Sequence, residues 1–251
     1  GFIPPAAPPA QDLDPDGIYL TFTLSDGDQL MMMHTGELGN WDSPLRGRVP
    51  FNWEVQPLLK EIAPALLERY TATAAQNDCL IAGPSGAGYI VPPLAPRLGA
   101  YMDETARVCE EAGISVVTTY VADPPARVLR ELAAHRGSLS GFLAGYAVVT
   151  RAPMQTVAGV PVIANRFPSV EQIAFNAPDL LAKIKQEIDR QLATRLDAPV
   201  FIGVHLFAYR TTYEDIVRFT EALPIDHVHI VRADDFLQLF QESNRRKQSG
   251  K

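Results

Sequence analysis

Short β-rich runs alternate with helix-spaced amphipathic stretches from about residue 18 to the end of the chain, and this alternation limits the fold more than any other feature. The spacing predicts strands at Ile18–Ser25, Asp78–Ala82, Ile114–Tyr120, Ser138–Tyr146, Val160–Asn165, Pro199–Phe207 and Val228–Arg232. Between them Val55, Leu58, Leu59, Ile62, Leu66 and Tyr70 recur at steps of three and four, as do Leu181, Ile184, Ile188 and Leu192 behind Pro178. Val128, Leu129 and Leu132 mark a shorter helix after Pro124-Pro125, and Asp234-Asp235 open a last one carrying Phe236, Leu239 and Phe240. Strands alternating with helices imply right-handed βαβ crossovers and a parallel sheet. Seven such strands suit a distorted (β/α) barrel in a single domain. An open doubly wound sheet is the rival, and periodicity does not separate the two.

A chain of 251 residues is long enough for one such barrel. The opening G-F-I-P-P-A-A-P-P-A reads as a stiff Pro/Ala-rich linker over residues 1–14, the barrel domain as 15–243, and N-R-R-K-Q-S-G-K as a disordered tail over 244–251. A first residue of Gly1 instead of Met reads as a piece of something longer. No run approaches the ~18 apolar residues of a membrane span, so none is expected. A net charge of −7 gives no basic footprint for nucleic acid. The two cysteines, Cys79 and Cys109, form neither a disulfide framework nor a zinc pattern and read as small core residues.

Barrel and open-sheet enzymes build their sites on loops at the carboxyl ends of strands. Those ends deliver S-D-G-D-Q at 25–29, then Gly83–Tyr89, Tyr120 with Asp123, Tyr146, Asn165-Arg166, His205 with Tyr209-Arg210, and Arg232 with Asp234. Asp26 and Asp28 flank a glycine, so in an extended segment both carboxylates face one side, ~6–7 Å apart. Such a pair divides acid and base roles or holds a divalent metal. An Asp-Gly turn capping its own amides is the alternative. The long connection before the next helix carries Trp41 and Trp53 with Glu37, Asp42, Arg46, Arg48 and Glu54. Indoles beside carboxylates suit a sugar, whose C–H face stacks while its hydroxyls take charged partners; tryptophans that pin the loop to the barrel are the alternative. The five histidines are scattered and no H-E-x-x-H occurs, so neither metal nor cofactor is expected.

Residues 82–93, A-G-P-S-G-A-G-Y-I-V-P-P, fail the P-loop pattern for want of G-K-[S/T], and fail the nucleophile elbow because Gly83-Pro84-Ser85-Gly86-Ala87 lacks its closing glycine. What remains is a tight bend whose glycines permit positive φ and close backbone approach. It would hold Ser85 and Tyr89 at the rim, with backbone amides around Gly86 and Gly88 as ligand donors.

G-A-G-Y-I-V-P resembles the G-x-G-Y-x-Y-P signature of the putative glycoside hydrolase family named after it, through Gly86, Gly88, Tyr89 and Pro92, with Val91 in place of the second tyrosine. S-D-G-D at 25–28, W-D-S-P-L-R-G-R at 41–48, Trp53 with Pro57, and N-D-C-L-I-A-G-P-S-G-A-G-Y at 77–89 are similar to that family's C-terminal domain. A-N-R-F at 164–167 and V-H-L-F-A-Y at 204–209 extend the likeness more weakly. The resemblance implies a bacterial, secreted or periplasmic carbohydrate-active protein: a (β/α) barrel joined to an N-terminal domain not included in this chain. The strand order also resembles polysaccharide deacetylases, whose first strand ends in Asp-Asp-Gly; the histidine pair that holds their metal is missing here.

Hydrolysis of a glycosidic bond in a poly- or oligosaccharide is the leading expectation, with Asp26 and Asp28 as the central carboxylates and Glu37 as the reserve acid. Trp41, Trp53 and Tyr89 would form stacking walls. Arg46, Ser85, Asn165, His205 and Tyr209 would bind hydroxyls or a uronate. Metal-dependent deacetylation around Asp26, Asp28 and His205 is one rival, and a glycan-binding domain without chemistry is another.

Overall fold

Among the described residues every strand pairing but one is parallel. The computed structural model describes residues 11–24, 40–119, 124–145, 155–167, 199–206, 212–223 and 226–250, with further helical positions between 182 and 193; for 155 and 164–167 only the backbone is described. The strands are β1 (Ile18–Leu24), β2 (Phe51–Val55), β3 (Asp78–Ala82), β4 (Val116–Thr119), β5 (Gly141–Ala144), β6 (Gln155–Val157), β7 (Val160–Phe167), β8 (Val200–Leu206) and β9 (Val228–Ile230). The helices are α1 (Leu59–Ile62), α2 (Pro64–Thr73), α3 (Leu98–Ala112), α4 (Ala126–Ala134), α5 (Tyr213–Glu221) and α6 (Ala233–Gln248). The antiparallel exception is the β6–β7 hairpin.

In hydrogen-bonded order β2, β3, β4, β5, β7, β8 and β1 succeed one another, and β1 pairs back to β2, so seven parallel strands close a ring. The closure is narrow: Thr23 and Leu24 meet Asn52 and Trp53. Lower down, Ile18–Leu20 pair with β9 instead. Strand β1 thus divides one edge between two partners, and the ring is shut at its carboxyl end and splayed at its amino end. The β1–β2 pairing decides between the two folds the alternation allows, in favour of the distorted barrel in one domain.

Helix α6 fills the splayed end. Its contacts fall at the amino ends of the strands: Arg232 donates to the Gln76 carbonyl just before β3, the Ala233 N–H donates to Asn52 Oδ1 on β2, and Gln241 donates to the Gly159 carbonyl just before β7. Phe236, Leu237 and Phe240 pack inward on Tyr19, Ile81, Leu143, Ile163 and Phe201. Burying each such side chain stabilises the fold by roughly 1.5–3 kcal/mol. The opposite sheet face, with Leu20, Phe22, Leu24, Val117 and Val204, packs on the outer helices.

Three expectations need correction. The helix expected from Val55 begins later, because Phe51–Val55 is a strand. There Phe51, Trp53 and Val55 join the outer core while Asn52 and Glu54 alternate inward. Helical geometry starts only after Pro57, and Pro64 divides the rest, occupying the first turn of α2 where its missing N–H is harmless. The expected tail is helical through Gln248. The linker boundary at 14 also falls late: Leu13 is buried in the inner core, and the Asp14 N–H donates to the Tyr19 hydroxyl.

Candidate active site

The interior of the ring is layered. Apolar side chains and α6 occupy the amino end. Asn52 spans the middle, its Nδ2 donating to Thr21 Oγ1 at 2.7 Å and to the Phe22 carbonyl at 2.8 Å. Nearer the carboxyl ends, Glu54 on β2, Thr118 on β4 and His205 on β8 come together. Thr118 donates its hydroxyl to Glu54 Oε1 at 2.5 Å, and His205 Nε2 lies 3.5 Å from the same oxygen. All three side chains are buried. Thr23 of β1 stands in register with both His205 and Asn52, so the strand that closes the ring borders this cluster.

Gly83, the residue after β3, is what lets the cluster close. A Cβ there would lie 2.1 Å from Thr118 Oγ1 and 2.8 Å from Glu54 Cδ. Glycine is required here by close approach. With its carboxylate beside the imidazole and tied to Thr118, Glu54 is placed to hold the orientation of the His205 ring.

From Gly83 the chain enters the signature bend. The Ser85 N–H donates to the Gly88 carbonyl at 3.2 Å, and Ser85 Oγ donates to the Ile90 carbonyl at 2.9 Å. The Ala87 N–H donates to Thr105 Oγ1 at 3.0 Å, and the Gly88 N–H to the Tyr101 hydroxyl at 2.8 Å, which donates back to the Gly88 carbonyl. Burial pushes the Tyr101 phenol up to about 12, so it stays a neutral donor and acceptor. Gly86 takes φ +137°, and a Cβ on it would meet Thr105 Oγ1 at 2.5 Å. The bend is held by its own hydrogen bonds, with Ser85 turned inward. Tyr89 is what it presents, at 51% exposure.

The stacking walls expected of the tryptophans are corrected. Trp41 and Trp53 are 1% and 0% exposed. They sit edge to face with centroids 5.2 Å apart, in a cluster with Phe51, Tyr70 and Tyr213. Both indole N–H groups are used internally, Trp41 on Thr73 Oγ1 and Trp53 on Asp78 Oδ1, each at 3.0 Å. The reading that they pin the loop to the barrel is the one observed. Arg46 is likewise a brace instead of a substrate donor. It pairs with buried Asp78, donates to the Trp41 and Thr73 carbonyls at 2.7 Å each, and lies 4.4 Å over the Trp41 ring. Ser85 is buried with its hydroxyl committed inside the bend, and the Gly88 amide is committed to Tyr101.

Of the remaining expected site residues, His205 lies in the buried cluster. Asn165 is at the carboxyl end of β7, its backbone in register with Gly203 of β8. Asp26, Asp28, Glu37 and Tyr209 lie outside the described residues. Among the described residues no three His, Cys, Asp or Glu side chains are grouped to hold a metal, and no helix is long and apolar enough to cross a membrane. Glu54 and Thr118 were not foreseen as site residues. The available signal was the period-two alternation of F-N-W-E-V, which puts Glu54 on the inner face near a strand's carboxyl end.

Ring and α6 plug define a parallel (β/α) barrel. The chain belongs to the GxGYxYP putative glycoside hydrolase family, whose C-terminal domain matches residues 16–241. A putative hydrolase from Bacteroides thetaiotaomicron VPI-5482 superposes with a TM-score of 0.80 at 20% identity, over 97% of this chain and 48% of its own. The present chain therefore spans about half of that protein's length. A probable polysaccharide deacetylase from Pseudomonas aeruginosa PAO1 gives a TM-score of 0.58 at 12% identity over 90% and 91% of the two chains. Puue allantoinase gives 0.55 at 13% identity, over 90% of each. At these identities the structural likeness establishes the fold alone. No curated protein sequence matches the chain significantly.

Proposed function

We propose that the chain is the catalytic barrel of a glycoside hydrolase, cleaving a poly- or oligosaccharide across the carboxyl-end mouth. The observation that carries this reading is the buried Glu54–His205 pair, braced by Thr118 and bordered by β1. Leu24 ends β1 beside Trp53, and Asp26 follows it by two residues in the sequence. Glycosidic hydrolysis needs one carboxylic acid to protonate the leaving oxygen and one carboxylate as nucleophile or base. Asp26 and Asp28 are assigned that pair, with Glu37 in reserve. His205 donates to the sugar side of the mouth, and Glu54 holds its ring in orientation. Asn165 and Tyr209 are assigned supporting contacts to hydroxyls. Tyr89 supplies the stacking face the tryptophans do not.

A reducing-end assay over a panel of glycans tests this. Asp26→Asn or Asp28→Asn should lower turnover by ~10²–10⁴-fold on any glycan the parent chain cleaves. Full turnover in both variants would remove the carboxylate assignment. Acetate release without chain cleavage, dependent on added divalent metal, would replace the reading with deacetylation. Saturable binding without product would leave a glycan-binding domain.

A further inference from the structure

The bend that carries Tyr89 is tied down from within by Ser85, Ala87 and Gly88, yet it leaves the Tyr89 ring half in solvent and Leu94 78% exposed. A loop tied down from within that carries a half-exposed aromatic ring needs little further ordering to bind a ligand. Tyr89 and Leu94 line a cavity of about 700 Å³ together with Val91, Ala100 and Tyr101. That volume falls within the ~300–1,000 Å³ usual for ligand pockets. Arg97 is the charged residue of its lining. It is exposed and makes no ion pair among the described residues. A second guanidinium, Arg127, donates to the Pro93 carbonyl at 2.9 Å behind the same wall. Among the described residues the lining contains no carboxylate, in a chain whose net charge is −7. This is a local reversal of the overall sign.

We infer that this cavity is a subsite for an acidic sugar, a uronate within the glycan, with the pyranose C–H face on Tyr89 and the carboxylate on Arg97. The inference deepens the proposed function and rests on it for the ligand's being a carbohydrate. An aromatic ring holds the flat face of a pyranose without regard to charge, whereas the unpaired guanidinium rewards a carboxylate and leaves a neutral sugar's hydroxyls to compete with water. Tyr89 belongs to the same loop as Gly83, which lies against Glu54.

Titration calorimetry on the whole chain tests this with galacturonate oligomers and their neutral galactose counterparts of equal length. The acidic oligomer should bind at least tenfold tighter, and the gap should shrink as salt is raised. Arg97→Gln should bring the acidic oligomer down to the neutral one's affinity. Tyr89→Ala should weaken both, and Tyr89→Phe, which keeps the ring, should restore them. Equal affinities in the parent chain, an unaffected Arg97→Gln variant, or no binding of any acidic oligomer would each overturn the subsite. Acid-selective binding without cleavage would sustain the subsite and end the catalytic reading. Cleavage with no acid preference would do the reverse.

Discussion

Replacing Gly83 by alanine puts a methyl group where the mouth has no room. The new Cβ would lie 2.1 Å from Thr118 Oγ1, 2.8 Å from Glu54 Cδ and 2.9 Å from Glu54 Oε1. Neither neighbour is the loose end of a surface chain, because both side chains are buried between strands. Thr118 can relieve the clash only by rotating its hydroxyl away, which breaks the 2.5 Å bond to Glu54. Overpacking of this kind costs ~1–3 kcal/mol, and a buried polar group left unsatisfied costs ~1–3 kcal/mol more. Loss of glycine's unfolded-state freedom offsets at most ~1 kcal/mol. The net expectation is about 1–6 kcal/mol, against a total stability of ~5–15 kcal/mol for a typical domain. Urea unfolding followed by circular dichroism reads this as a fall in midpoint at unchanged slope. In a Thr118→Ala background the same substitution should cost at least ~1 kcal/mol less, since the nearest clashing atom is gone. A Gly83→Ala chain within ~0.5 kcal/mol of the parent, or an equal cost in both backgrounds, would refute the packing argument.

The brace around Arg46 gives a second prediction. Arg46→Ala leaves Asp78 buried without its cation and should destabilise by ~3–5 kcal/mol in the same urea assay, and Arg46→Lys should recover only part of that because lysine lacks the forked donor. Both indoles should resist acrylamide quenching in the folded chain, and saturating glycan should leave their emission unchanged; strong quenching by either would contradict their burial. Burial, with Asp234 alongside, pushes the Asp235 carboxyl up to about 6 from an ordinary value near 3.8. Its folded state therefore holds a proton that the unfolded state releases, so stability falls as pH rises from about 4 to about 6 and stays reduced above. Asp235→Asn should remove that decline and stabilise the chain at pH 7 by up to about 3 kcal/mol, measured as the pH dependence of the urea midpoint.

The fold was legible because a parallel sheet needs a crossover between every pair of strands, and those helices carry a period of their own. Runs such as Asp78–Ala82 and the segment at 228 stand out against their flanking helices. Strand β2 did not. Its inner positions are Asn52 and Glu54, so the hydrophobic alternation is carried by Phe51, Trp53 and Val55, which also begin a plausible helical series through Leu58 and Leu59. Glu54 was hidden by the same ambiguity, since only its strand assignment puts it at a carboxyl end. Trp41, Arg46 and Trp53 misled for a different reason. Aromatic and charged residues in a long loop can be a binding surface or a structural knot, and the choice turns on Asp78 and Thr73, which lie some thirty residues away and take up the loop's donors. No local pattern carries that information. The signature bend was readable, because the glycine requirement at 86 is a local steric fact.

The most direct test is the position of an uncleaved oligosaccharide in crystals of the Asp28→Asn chain. The scissile linkage should lie over the ring's carboxyl end, with a sugar oxygen within hydrogen-bond reach, ~2.6–3.2 Å, of His205. A sugar bound only outside the ring, with His205 still sealed beneath packed side chains, would contradict the assignment of the mouth as the place of reaction.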